Sequence, residues 1–283
     1  MMRTRTKWIT VAALAIFCLL GAGVRLFHDG AKVTSENLEA VVELNGKTMG
    51  GVVSKMPDNS ARILFDSILG VKLKEYRSYS DVHETLSALK TNEIQVAWFA
   101  DVTADYLART EKGIRKLEIS KASEDRLEFG MALTAQNQEL KDDINGALRT
   151  LKENGTLKSL VSTYIEAEEI SPMYAKDFDK ISGTNGTIYV GVTGALPPID
   201  MVDFDQKPYG FSVALMQEIG KILGKEIRYV YLQNDTSFSM LMGGKVDVLF
   251  SYGTSKNTVD TKKTYCMTDG YYTMNQYAYL VLE

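Results

Sequence analysis

The chain of 283 residues is poor in the residue types that most often carry chemistry: two histidines, two cysteines and five prolines. His28 and His83 lie far apart, and no zinc spacing, Walker loop or catalytic Cys/His signature occurs. Two cysteines are too few for a disulfide framework. Cys18 falls in an apolar N-terminal segment, which leaves Cys266 without an obvious partner. There is also no dominant charge of one sign. A formal charge of −4 argues against a general nucleic-acid binder, and nothing implies a cofactor or a metal.

What is present is the composition of a globular protein, 45% hydrophobic and 24% charged. The length suits one large or two ordinary domains. The N-terminus "MMRTRTK" carries three Arg and Lys residues, Arg3, Arg5 and Lys7, ahead of the uncharged run Trp8 to Val24. This is the layout of a secretory signal with its basic end in the cytoplasm. Gly21-Ala22-Gly23 suits a cleavage site, while the apolar run is also long enough to stay as a membrane anchor. Cys18 raises a lipoprotein alternative that ranks below both, because Phe17 stands where a small residue is wanted. Residues 1–30 are read as signal peptide or membrane anchor, and the rest as extracytoplasmic, in the periplasm or at the outer cell surface.

Beyond it, strand and helix patterns alternate. "GKTMGGVVS" reads as a strand, "NSARILFDSIL" as a helix, "KLKEYRSY" as a strand and "SDVHETLSALKTNE" as a helix. "IQVAWFAD" is a continuous apolar run, as in a central parallel strand. "VTADYLART" reads as a short helix and "IRKLEIS" as a strand. From "LEFGMALTAQ" a second section begins, followed by an amphipathic helix with Leu140, Ile144, Ala147, Leu148 and Leu151 on one stripe, broken at Gly155. Ala167 to Gly186 reads as linker or loop. Then come the strand "TIYVGVTG", the loop "ALPPID", a helix over "GFSVALMQEIGKILGK", the strands "EIRYVYL" and "VDVLFSY" flanking a short helix, and the final strand Tyr277 to Leu282. Such alternation implies βαβ units and mostly parallel sheets, two α/β units in all.

The stretch from "TIYVGVTGALPPID" through "GGKVDVLF" to "TDGYYTMNQYAYLVLE" resembles the beginning of a bacterial family 3 extracellular solute-binding protein, an amino-acid receptor of ABC importers. "ELNGKTMGGVV", "SDVHETLSALKTNEIQVAWFAD" and "LEFGMALTAQNQELKDDINGALRTLKENGTLKSLVSTYIE" resemble that family's later portion. The resemblance implies a two-lobed type II periplasmic-binding-protein fold in circularly permuted order, each lobe a mostly parallel sheet flanked by helices. The expected lobes are 31–126, with the family's second-lobe elements, and 127–283, with its C-terminal helices followed by its N-terminal elements. One covalent crossover is then expected, near Leu127 to Gly130. A fragment of a tandem receptor has the same order.

The resemblance also implies a ligand site between lobes that close by hinge motion. An α-amino acid needs an acid for its ammonium group and, for its carboxylate, preferably a bidentate Arg. Asp101 falls at the family's ammonium-binding position, at the C-terminal edge of a parallel strand where α/β sites form. Its alternative role is a helix N-cap. The family's Arg position corresponds to Thr261, and no Arg occurs in Ser251 to Gly270. Lys256, Lys262 and Lys263 read as surface lysines. Thr254, Ser251 and Tyr252 are further binding candidates on the strand "VDVLFSY" and the loop after it. Ser54 and Lys55 are candidates in "SKMPDNS", where helix-start amides can hold an anion although Asp58 repels one. Leu196 and Asn234 stand where the family has aromatic residues that stack on the ligand. Trp98 is read as core before cleft, and Phe238 as core.

The expected function is therefore binding of a small polar ligand, an amino acid or amine-like compound, for an ABC permease or a membrane sensor. The alternative is a degenerate or accessory ligand-sensing domain that acts through a protein partner. Catalysis is discounted: His83 and Asp101 are the only acid–base candidates, and His83 sits on a helix. A hinge-swapped dimer is a further expectation, with Glu283 of one chain beside the Ala31 region of another.

Overall fold

The computed structural model describes residues 42–52, 71–117, 127–170, 172–181, 185–233, 236–254, 264–274 and 277–283. Side chains of residues 251–254 are not described. The expected helix over 59–69 and the N-terminal segment lie outside these residues. No helix among the described residues is long and apolar enough to cross a membrane.

The chain divides into two compact units. The first contains the described residues through Leu127 and again Met274–Glu283; the second holds most of the residues between.

The first unit is built from β1 (Thr48–Gly51), β2 (Glu75–Ser78), helix α1 (Val82–Lys90), β3 (Val96–Ala100), α2 (Asp101–Thr110) and β4 (Ile114–Lys116). Helix α1 starts where Asp81 Oδ1 accepts the Glu84 amide at 2.8 Å, and it buries Val82, Leu86 and Leu89 on one face. The sheet order is β2-β1-β3-β13-β4, where β13 is the last strand, Tyr277–Leu282. β1 runs parallel to β2 and β3, and β13 runs antiparallel to β3 and β4. Its pleat explains its uninterrupted apolar sequence. Tyr277, Tyr279 and Val281 join the core cluster of Met49, Val96 and Trp98 on one face. Ala278 and Leu280 join the opposite cluster of Leu86, Leu89, Ala97 and Phe99. A strand covered on both faces has no polar side to present to water.

The second unit contains β5 (Leu127–Thr134), α3 (Gln138–Glu153), α4 (Thr156–Tyr164), β6 (Thr187–Val192), the hairpin β7 (Met201–Val202) and β8 (Pro208–Tyr209), α5 (Phe211–Leu223), β9 (Glu226–Tyr231), α6 (Ser237–Met242), β10 (Val248–Thr254), β11 (Tyr265–Met267) and β12 (Tyr272–Met274). Its main sheet has the order β11-β5-β10-β6-β9, and β12 also pairs with β5. β6 is parallel to β9 and β10, and β11 is antiparallel to β5. α3 buries Ile144, Ala147, Leu148 and Leu151, four of the five residues of the expected stripe, with Leu140 half-buried. It ends before Gly155, which takes φ 80°, a left-handed conformation suited to glycine. Phe211, Phe250 and Tyr271 pack ring against ring inside the unit, with Phe250 stacked on Tyr271 at 5.0 Å between centroids.

Both sheets follow one plan. Within each run of strands the first is central, the second takes one edge, the third lies on the other side of the first, and the fourth takes the far edge. Between third and fourth sits a guest strand from the other run: β13 in the first sheet, β5 in the second. The central first strands also share a close approach. A Cβ on Gly50 of β1 would meet Ile94 Cδ1 at 2.7 Å, and one on Gly191 of β6 would meet Leu232 Cδ1 at 2.6 Å. Each glycine leaves room for a side chain crossing the strand.

Two expectations change. Residues 127–283 do not form one lobe by themselves, because β13 pairs in the first sheet through registers such as Leu280↔Ala97. The chain therefore passes between the units not only ahead of β5 but also between β12 and β13. The physical reason is that β13 is apolar on both faces and needs an internal sheet position, which the gap between β3 and β4 provides. The expected loop at Ala167 to Gly186 includes a short 3₁₀ turn, Ala175–Asp177. It is tied to the second unit by the Tyr174 hydroxyl, which donates to Asp203 Oδ2 at 2.9 Å.

Candidate functional site

In parallel α/β sheets, ligand sites form beyond the C-terminal ends of the strands. Each unit has such an edge, and each edge carries one deeply placed carboxylate.

In the first unit, β3 ends at Ala100 and Asp101 opens α2. β4 points the same way as β3, since both are antiparallel to β13, so its last residue Lys116 reaches the same edge. The Lys116 Nζ lies 2.6 Å from Asp101 Oδ1 and 2.7 Å from Asp105 Oδ1. Asp101 and Asp105 are four apart on α2 and share a helix face. The Asp101 side chain is 13% exposed and that of Lys116 22%. Burial pulls the Lys116 ammonium down, but hydrogen bonds from the two carboxylates outweigh it and hold the group above the usual lysine range. The helix cap is Ala100, with no side-chain cap bond. Asp101 is thus not the cap; it is one arm of an ion-paired triad.

In the second unit, β6 runs into the loop 193–200. Asp200 is fully buried. Its Oδ2 accepts the Thr193 amide and the Thr193 hydroxyl, each at 3.0 Å, and its own amide donates to the Leu196 carbonyl at 2.9 Å. The side chain therefore closes the loop on itself. Oδ1 is buried with no hydrogen-bond partner among the described residues. Burial pushes the carboxyl up to about 6, against the hydrogen bonds from Thr193 and Gly194 that favour its charged form.

The remaining candidates fall as follows. Leu196 is half-buried in the 193–200 loop. Ser251, Tyr252 and Thr254 lie at the end of β10, on the edge that β6 shares, without described side chains. Ser54, Lys55, Asn234 and Thr261 lie outside the described residues, as do Lys256, Lys262 and Lys263. Trp98 is 7% exposed in the core cluster and meets Tyr277 at 4.5 Å between ring centroids. Phe238 is half-buried, edge-on to Tyr265. His83 is exposed on α1. Among the described residues, no group of three His, Cys, Asp or Glu could hold a metal ion.

Lys116, Asp105, Thr193 and Asp200 were not singled out by the sequence. The Asp101/Asp105 spacing carried a signal, since four residues on a helix bring two acids to one side. Lys116 carried none, because its reach depends on how β4 pairs with β13.

The family described as "Bacterial extracellular solute-binding proteins, family 3" matches residues 188–282, about a third of the chain. The match spans β6 through β13. Similar solved structures include an ancestral arginine-binding protein bound to arginine, at 13% identity over 85% of this chain and 86% of that one, with a TM-score of 0.42. The substrate binding protein of an amino acid ABC transporter is 12% identical over 83% of this chain and 84% of that one, with a TM-score of 0.40. HinK, a LysR family transcriptional regulator from Pseudomonas aeruginosa, is 12% identical over 93% of this chain and 72% of its own, with a TM-score of 0.43. These likenesses are all weak and extend to proteins of different function.

Proposed function

We propose that the chain is an extracytoplasmic solute-binding protein that closes its two units over a small polar solute, for an ABC importer or a membrane sensor. The observation that carries this reading is the solute-binding family match over residues 188–282. It begins in the central strand of one sheet and ends in the guest strand of the other, so it covers a whole strand run. The cluster of Lys116, Asp101 and Asp105 at the strand edge of the first unit supplies polar groups of the kind such a site needs. The circularly permuted order belongs to the same reading: the matched run would correspond to the family's beginning and the run β1–β5, with α3 and α4, to its later portion.

A thermal-shift screen of the full chain against amino acids, amines, short peptides, polyols and organic acids tests the reading. A solute at 100 times its dissociation constant adds ~2.7 kcal/mol of stability, a readily measured shift. A cooperative melt that no solute moves would count against it. That result would favour a second reading, an accessory domain acting through a protein partner, which the internal occupation of Asp101 by Lys116 already supports.

A further inference from the structure

We infer that Lys116 is a specificity-determining residue, a tethered ammonium group that occupies Asp101 and closes it to free amines. The solute taken at this edge is then an ammonium-free compound recognised through its oxygen acceptors. This inference rests on the solute-binding reading above.

The geometry carries it. An acid at the C-terminal edge of β3 is well placed to receive a cation, but the cation is already present, 2.6 Å away and on the same unit. Asp105 holds the other side of the ammonium at 2.7 Å, so the lysine is fixed by two carboxylates. The backbone of β4 is fixed in turn by its pairing of Lys116 with Leu280 of β13. A four-carbon stem on a fixed strand keeps its ammonium group close to Asp101 at all times. Even flexible tethers produce effective concentrations in the mM range, and this short stem exceeds them. A dissolved amine at lower concentration therefore loses the competition. An ammonium group has three N–H donors. Two go to Asp101 and Asp105, and the third, with no acceptor among the described residues, is left for an oxygen on the solute.

Chemical rescue tests the inference on the full chain. In Lys116→Ala, n-propylammonium should occupy the vacated position and raise the melting temperature in a saturable way. Its apparent dissociation constant should be at least tenfold lower than for the wild type. The rescue should vanish in Asp101→Asn/Lys116→Ala. If Lys116→Ala fails to fold, Lys116→Met keeps the volume of the stem, and the ammonium ion replaces n-propylammonium as the probe. A wild type that binds the amine as tightly as the variant overturns the inference, and so does a folded variant that the amine does not stabilise. Neither result touches the solute-binding reading, which stands or falls on the wild-type screen. Conversely, amine rescue in a protein that responds to no solute would uphold the closed Asp101 and remove the solute-binding reading, together with the solute class drawn from it.

Discussion

The two sheets share a strand order and an exchanged guest strand, yet they treat the acid at their C-terminal edge in opposite ways. In the first unit Asp101 keeps some contact with water and is paired to the Lys116 ammonium. In the second, Asp200 is fully buried, held by Thr193, and has no cation against it among the described residues. A buried carboxyl without a counter-charge lowers its free energy by keeping its proton, whereas an ion-paired one has no such need. The same kind of sheet edge thus carries a charged cluster after the third strand of one run and a proton-sensitive loop clasp after the first strand of the other. Position on the sheet supplies the opportunity; the neighbouring side chains decide the chemistry.

The largest effects should come from the guest strands. Leu280 in β13 and Leu133 in β5 are both fully buried. Leu280→Ala and Leu133→Ala should each cost ~2–5 kcal/mol in denaturant unfolding. Hydrogen exchange should place the first loss in β1 and β3 and the second in β6 and β10. A Leu280→Ala protein loosened chiefly around β6 would break the comparison, since β13 would then not belong to the first sheet.

The next effect is the pH response of Asp200. The folded-state value of Asp200 is raised from 3.8 to about 6. Its contribution to stability is complete below pH ~4, where both states are protonated. It is lost as pH rises to about 6, because the unfolded chain ionises first, and the loss amounts to ~3 kcal/mol. The difference in stability between wild type and Asp200→Asn, followed by unfolding at each pH, should change across that window and be flat above it. An unchanged difference from pH 4 to 7 would mean that the carboxyl is not desolvated as described.

Breaking the triad should cost less. Lys116→Met leaves Asp101 largely buried beside Asp105 with no ammonium, at ~1–2 kcal/mol, since the pair lies between the exposed and buried extremes. Asp101→Asn in the same chain should recover part of the loss. Full additivity of the two changes would show that the groups do not interact.

The smallest contrast lies at helix starts. Asp81 caps α1 through the Glu84 amide, whereas Asn137 at the start of α3 makes no side-chain cap bond. Asp81→Ala should therefore cost ~1 kcal/mol and Asn137→Ala only a few tenths, measured as shifts in the denaturant midpoint. Equal costs would remove the distinction.

Much of the architecture was legible. The alternation of apolar runs and amphipathic stretches marked β3, α1, α3, β6, α5 and β13 because burial imposes its period directly on the side chains. The short strands β7, β8, β11 and β12 carried too few residues to show a period. Asp101 could be singled out because it follows a long apolar run. Asp200 could not, since nothing in "ALPPID" says that its last residue is sealed from water.

By itself, the sequence determined which segments are strands and helices, that there are two α/β units, and that an acid stands at the end of β3. These are local properties, written in the spacing of apolar residues and in the residue that follows a strand. Only the tertiary structure decided that β13 belongs to the first sheet, that Lys116 reaches Asp101, and that Asp200 is buried against Thr193. The first two depend on pairing between segments far apart in the chain, such as Leu280 with Lys116. Strand neighbours are chosen by the free energy of the whole packed sheet, and no stretch of a single strand encodes that choice.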